Sequence, residues 1–328
     1  MPFAFKRKET AQESMSRLLE ECVAKALKQG KRDTFEAIHC ARKQVKKARA
    51  VLRLFKHELD RKSLKIWLKA LWKAAKVLAP ARDAYITSKT FKEVAWSRTA
   101  AKTGSHPSGL QTLLKQECRD AMRQFETEDC WKQVRRCLKL EKTSASKLRL
   151  KHDGWSAIAP GLKRSYRAAK KVGENVRLNP SPENLHEWRK RVKDVWYDVS
   201  LLEPIWPEQM SALAGEFERL SELLGNHHDL HVLREIIVKK SVESDFEPEA
   251  EKLIPIIDAK QTKGCAEALK LGCRLLHEKP SDFCSRLHSY WKRWKKKKPT
   301  GTRISEAIGP GIFARNITNH HIWRSIAQ

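Results

Sequence analysis

The segment His39-Cys40-Ala41-Arg42-Lys43-Gln44-Val45-Lys46 returns later in the chain as His186-Glu187-Trp188-Arg189-Lys190-Arg191-Val192-Lys193, and both copies read H-x-x-R-K-x-V-K. A chain that carries such a segment twice is constrained to a fold in which each half presents it. An α-helix turns about 100° per residue, so His39, Arg42, Lys43, Lys46, Arg49 and Arg53 fall within an arc of roughly 120°. Ala41, Val45, Ala48, Leu52 and Phe55 fall on the opposite side and face a core. In the second copy His186, Arg189, Lys190 and Lys193 repeat the stripe, and Val192, Val195, Val199 and Leu202 repeat the core face.

Like charges four residues apart destabilise a helix by a few tenths of a kcal/mol per pair. Arg42/Lys46 and Arg49/Arg53 place two such pairs on one face with no acidic residue among them. A solvated helix face usually mixes its charges; this one does not, and it occurs in both halves. The whole chain shares the bias, with 67 Lys+Arg against 39 Asp+Glu and a formal net charge of +28 over 328 residues. Self-repulsion on that scale works against compactness, so the field points to a polyanionic partner: nucleic acid, an anionic membrane surface or a polyphosphate.

Strand signals are sparse and helical periodicity is nearly continuous, which makes the chain all-α. The pattern predicts helices over 11–29, 33–57, 61–79, 82–100, 110–139, 155–174, 182–203, 207–225, 227–241, 247–277 and 281–297. Asp33 and Ser181 are expected helix N-caps, the latter followed by Pro182 at the first helical position, and Gly30 and Gly225 are expected helix stops. Thr143, Ser144, Ser146 and Gly154 mark a linker between two halves, 10–140 and 154–297. Beyond them lies a tail, 298–328, rich in Gly and Pro. The repetition extends past the basic helix: Leu78-Ala79-Pro80-Ala81-Arg82-Asp83 corresponds to Leu224-Gly225-Asn226-His227-His228-Asp229. A repeated four-helix unit fits this spacing.

Further basic positions adjoin the repeated helices. Lys65, Lys69, Lys73 and Lys76 follow the first at helical spacing, with Trp67 and Trp72 off their stripe and expected in the core. Lys163, Arg164, Arg167, Lys170 and Lys171 precede the second, and the densest run is Trp291-Lys292-Arg293-Trp294-Lys295-Lys296-Lys297-Lys298.

Several chemistries find no support in the residues. The eight cysteines are scattered without a C-x-x-C pair and read as reduced core thiols of a cytosolic protein. No apolar run approaches the roughly 20 residues of a membrane helix, and the N-terminus lacks the order of a signal peptide. One His per half without a carboxylate or thiolate set is poor zinc geometry. His227, His228, Asp229 and His231 are read as a helix start, with Asp229 capping or pairing to an Arg. There is no G-x-x-x-x-G-K-[ST] loop and no nucleophile–base constellation, so no catalysis, cofactor or metal is expected.

The two H-x-x-R-K-x-V-K helices, each followed further on by an Arg82-Asp83 or His228-Asp229 turn, resemble the CHAD family, the conserved histidine α-helical domain, over roughly 10–295. The resemblance implies two four-helix-bundle-like halves related by a pseudo-twofold around a basic channel or cleft. It also implies noncatalytic binding of inorganic polyphosphate and, for some members, association with polyphosphate granules in the cytoplasm. His39, Arg42, Lys43, Lys46 and Arg49 match the first basic helix, and His186, Arg189, Lys190 and Lys193 the second. Arg53, Lys65, Lys69, Lys73, Arg82, Arg164 and Arg167 extend the expected polyphosphate-binding set. The second copy departs where Trp196 and Ser200 replace Arg49 and Arg53, which implies an asymmetric site. The triphosphate tunnel domain fused to some members has no counterpart; Glu247, Glu249, Glu251 and Lys252 come nearest its E-x-E-x-K strand in the wrong register. A nonspecific nucleic-acid binder is the competing reading, although no aromatic platform accompanies the basic stripes.

Overall fold

A computed structural model of the chain describes residues 3–30, 32, 34–96, 108–142, 148–243 and 246–296. Among these residues the structure is all-α, with eleven α-helices, one short 3-10 turn and no strand. The first half contributes α1 (Ala11–Gln29), α2 (Phe35–Leu54), α3 (Arg61–Val77), α4 (Ala79–Ala95), α5 (Ser108–Thr127) and α6 (Cys130–Lys142). After the connection come α7 (Gly154–Leu178), α8 (Pro182–Leu201), α9 (Pro207–Glu243), α10 (Glu247–Leu275) and α11 (Pro280–Lys296).

The helix starts follow from local hydrogen bonding. The Thr10 hydroxyl accepts from the Glu13 N–H at 3.1 Å while the Thr10 N–H donates to the Glu13 carboxylate at 2.8 Å, a reciprocal capping box that opens α1. Ser181 caps α8 by accepting from the Asn184 N–H, with Pro182 in the first turn. Thr34 caps α2; the expected cap Asp33 lies outside the described residues, as do 143–147 of the linker and 297–328. Gly30 closes α1, its N–H donating to the Leu27 carbonyl.

Four sequence expectations are corrected. The helix read over 110–139 is two helices, because Asp129 adopts a left-handed backbone (φ 47°) between α5 and α6, a conformation Asp tolerates better than most residues. The helices read over 207–225 and 227–241 are one, α9, which passes through Gly225 without stopping. The cluster from His227 to His231 is therefore mid-helix rather than a helix start. Trp67 is buried as expected, but Trp72 is 52 % exposed and lies under the Lys76 ammonium, 5.4 Å from its ring centroid.

The core faces read from the helical projection are withdrawn from water: Ala41, Val45, Ala48 and Leu52 on α2 with the adjoining Phe55, and Val192, Val195 and Val199 on α8 with the adjoining Leu202. They belong to one core that also takes Met15 and Leu19 from α1, Leu71 from α3, Leu162 and Tyr166 from α7, Phe217 and Leu220 from α9, and Phe283 from α11. A smaller core joins Phe91 and Val94 of α4, Leu110 and Leu114 of α5, Leu233 and Ile237 of α9 and Leu253 and Ile257 of α10. At the start of α5 the backbone N–H groups of Gly109 and Leu110 each donate to the Glu249 carboxylate at 3.0 Å.

The end of α2 meets α7 so closely that only glycine fits. A Cβ on Gly161 would stand 1.8 Å from the Leu54 carbonyl oxygen, which is backbone and cannot swing away. Gly161→Ala is expected to lower folding stability by about 1–3 kcal/mol, the usual penalty for overpacking. Urea unfolding measures this, and an unchanged midpoint would contradict the packing described.

Candidate anion-binding site

The two copies of the repeated motif converge on one cavity of about 240 Å³. From α2 it receives His39, Arg42, Lys43 and Lys46; from α4, Arg82; from α8, Arg189, Lys193, Trp196 and Tyr197. The remaining wall is α9, which supplies Glu218, Ser221, Glu222, Gly225, Asn226 and Asp229. The cavity is thus lined by cations on three helices and by carboxylates on a fourth.

Only one of these cations, Arg82, has an ion-pair partner among the described residues. The Arg42 guanidinium donates through Nη1 to the Ala75 carbonyl at 2.8 Å, in the last turn of α3. Its Nε is buried without a hydrogen-bond partner, and the same is true of Arg189 Nε. Arg189 lies flat against α9 at Gly225, where an added Cβ would come within 3.1 Å of its Nη2. The glycine read as a helix stop is instead a slot for a guanidinium. Arg82 pairs with the exposed Asp83 at 2.9 Å, while neither Lys46 nor Lys193 has an ion-pair partner within reach among the described residues.

This crowding disfavours charge. Burial first, then Lys193, Arg42, Arg82 and Arg189, push Lys46 from the ordinary lysine range down to about 6. Burial, Arg189 and Arg82 push Lys193 down to about 8 against the opposing pull of Asp229 and Glu222. Arg42 and Arg189 are lowered chiefly by burial, offset in part by Asp83 and Asp229 respectively. Partial burial also lowers His39 and His186. Unpaired N–H donors and half-buried cations around one hollow are suited to charge-assisted bonds with anion oxygens.

Of the sixteen expected site residues, the structure brings together His39, Arg42, Lys43, Lys46, Arg82, Arg189 and Lys193 in this cavity. His186 and Lys190 lie on the same helix but outside its lining. The His186 ring stands 4.3 Å from the His228 ring, and burial with His186 and Arg189 nearby pushes His228 down to about 4. Lys190 pairs with Glu187. Lys65, Lys69 and Lys73 are exposed on α3, and Arg167 is exposed on α7. Among the described residues no group of three or more His, Cys, Asp or Glu is placed to hold a metal ion.

Arg49, Arg53 and Arg164 form a second, separate cluster toward the end of α2. Arg53 pairs with Asp194, Arg164 donates to the Arg53 carbonyl, and the Ser165 hydroxyl donates to Asp198. Nε of Arg49 and of Arg53 and one terminal nitrogen of Arg164 are buried and unpartnered. The sequence reading missed the α9 wall. Glu218, Glu222, Gly225 and Asp229 recur at helical spacing, a stripe visible in the sequence only if the helix continues through Gly225.

The fold and cavity define an all-helical protein in which a duplicated basic helix builds one composite, cation-lined site. The family model of the CHAD domain matches residues 17–238, and the chain belongs to that family. Among solved structures it is similar to the CHAD domain from the plant Ricinus communis, with a TM-score of 0.61 and 14 % identity, over 84 % of this chain and 94 % of that one. It is also similar to PptA from Streptomyces chartreusis, with a TM-score of 0.58 and 14 % identity, over 81 % of this chain and 99 % of that one. At such identity the likeness is one of fold. A search of curated proteins returned no match. No helix among the described residues is long and apolar enough to cross a membrane.

The second cluster carries a pH dependence. Complete burial pushes the Asp198 carboxyl up to about 7, against the lowering effect of the Ser165 hydrogen bond. A carboxyl raised in the folded state contributes stability that is present in full below its unfolded pKa, about 4, and is lost as pH rises through its folded value. Asp198→Asn does not ionise, so the stability gap between variant and wild type should move in the variant's favour from about pH 5 to pH 8. Urea midpoints at the two pH values measure the gap, and one that stays constant would refute the assignment.

Proposed function

We propose that the chain binds inorganic polyphosphate noncatalytically in the cavity between α2, α4, α8 and α9. The observation that carries this reading is the convergence of both motif copies on one hollow, where Arg42 and Arg189 carry buried, unpartnered Nε groups and Lys46 and Lys193 have no ion-pair partner among the described residues. Polyphosphate bears closely spaced negative charge on a flexible strand, so it can enter a hollow of this size and satisfy donors on several helices at once. Membership of the CHAD family supports a polyphosphate-related role in general. The two unequal halves, 10–140 and 154–297, then act as one unit with a single composite site. Residence in the cytoplasm, on polyphosphate granules, follows as part of the same proposal.

The α9 carboxylates favour this over nonspecific nucleic-acid binding. Glu218, Glu222 and Asp229 would oppose a broad phosphate backbone laid across the surface, while a narrow strand can reach the cations between them. Arg42→Glu with Arg189→Glu is expected to weaken long-chain polyphosphate binding about tenfold or more, since hydrogen bonds to charged groups are worth about 1.5–3 kcal/mol each. Unchanged affinity at moderate salt would sink the site. Displacement of bound polyphosphate by duplex or single-stranded nucleic acid at equal phosphate concentration would sink the choice of ligand, and phosphate release on prolonged incubation would sink the noncatalytic reading.

A further inference from the structure

The cavity poses an electrostatic problem that its ligand must solve. Lys46 of α2 and Lys193 of α8 share one hollow of about 240 Å³, are only partly exposed, and have no carboxylate within ion-pair distance among the described residues. Arg42 on the same helix as Lys46, Arg82 on α4 and Arg189 on α8 add three guanidiniums, which hold their protons at any physiological pH. On the nearby α3 the Ala75 carbonyl already accepts from Arg42. On α9 the facing groups are Glu218, Glu222 and Asp229; Asp229 and Glu222 pull on Lys193, whereas no carboxylate ranks among the leading influences on Lys46. With Lys43 the hollow gathers six Lys and Arg side chains against three carboxylates, all on α9, and of these cations only the lysines can yield a proton.

We propose, building on the polyphosphate reading above, that the cavity is a proton-linked anion site: the phosphate chain enters together with protons from solvent that settle on the Lys46 and Lys193 amines. In the free protein Lys46, held at about 6, is mostly a neutral amine near pH 7.5, whereas Lys193, held at about 8, is mostly an ammonium. A polyanion beside them favours the charged forms, so the pKa of each rises on binding. One proton per Lys46 moves from water to Nζ, with no bond to phosphorus made or broken. Near pH 7.5 the uptake is about one proton, and affinity falls about tenfold per pH unit as pH rises. Above pH 8 Lys193 joins and the fall steepens. Binding is then tuned by pH in a range where the ligand's internal phosphates do not titrate.

His39, at the rim of the cavity, and the His186–His228 pair beside it are the competing proton acceptors. Arginine in place of Lys46 separates them, because a guanidinium cannot serve as the titrating group. The experiment is calorimetric titration of the full chain with long-chain sodium polyphosphate at pH 7.5, in two buffers of different ionisation enthalpy at fixed salt, for the wild type and for Lys46→Arg. The expected result is uptake of about one proton by the wild type and loss of most of it in the variant, whatever the variant's affinity. Wild-type binding with no buffer dependence, or the same uptake in Lys46→Arg, overturns the proposal while leaving polyphosphate binding intact. Absence of any binding overturns the functional reading and this proposal with it. Should Lys46→Arg misfold, Lys193→Arg titrated at pH 8.5 serves instead: the uptake assigned to Lys193 must vanish, and its persistence overturns the assignment.

Discussion

The apolar faces of α2 and α8 are fully withdrawn from water, and this fixes where their basic stripes go. Burying one valine, leucine or phenylalanine is worth about 1.5–3 kcal/mol, and α2 and α8 do so at every core position of the repeated motif. Removing an unpaired cation from water costs several kcal/mol, so the stripes are not drawn together by their own chemistry. They are carried there by the hydrophobic faces behind them. The cavity is therefore a place where the fold holds charge at a cost, and an anion that enters relieves it.

The α9 wall governs how that cost is shared. Gly225 lets the Arg189 guanidinium lie against the helix, and Asp229 and Glu222 steady Lys193 without forming a close ion pair with it. On Lys46 no carboxylate ranks among the leading influences. The two motif copies are thus unequal in the same hollow, one partly compensated and one not. Trp196 deepens the difference, since it lines the cavity where the first copy would continue as Arg49. Arg49 and Arg53 instead belong to the cluster with Arg164, where Arg53 pairs with Asp194.

Much of this was legible in the sequence because helices write their faces into a fixed period. Val45, Leu52, Val192 and Val199 could be assigned to a core from spacing alone, and so could the stripe that holds Arg42, Lys46, Arg189 and Lys193. What escaped depends on contacts between segments far apart in sequence. Gly225 reads locally as a helix stop, and only the tertiary environment, with Arg189 lying against it, shows its use. Breaking the helix there hid the carboxylate stripe from Glu218 to Asp229. Trp72 lies off the lysine stripe and so reads as core, yet it stays at the surface with the Lys76 ammonium over its ring. Lys65, Lys69 and Lys73 have the right charge and periodicity, but α3 turns them outward. Periodicity tells which residues share a face and is silent on what that face meets.

The most direct test of the account is to locate an ordered anion. Crystals of the full chain grown with a short polyphosphate should show phosphate density between Arg42, Lys46, Arg189 and Lys193, with oxygens about 2.7–2.9 Å from the Arg42 and Arg189 Nε atoms, the range of charge-assisted bonds. Phosphate bound only on the outer faces of α3 or α11, with Lys46 and Lys193 left facing Glu222 and Asp229 across water, would contradict it.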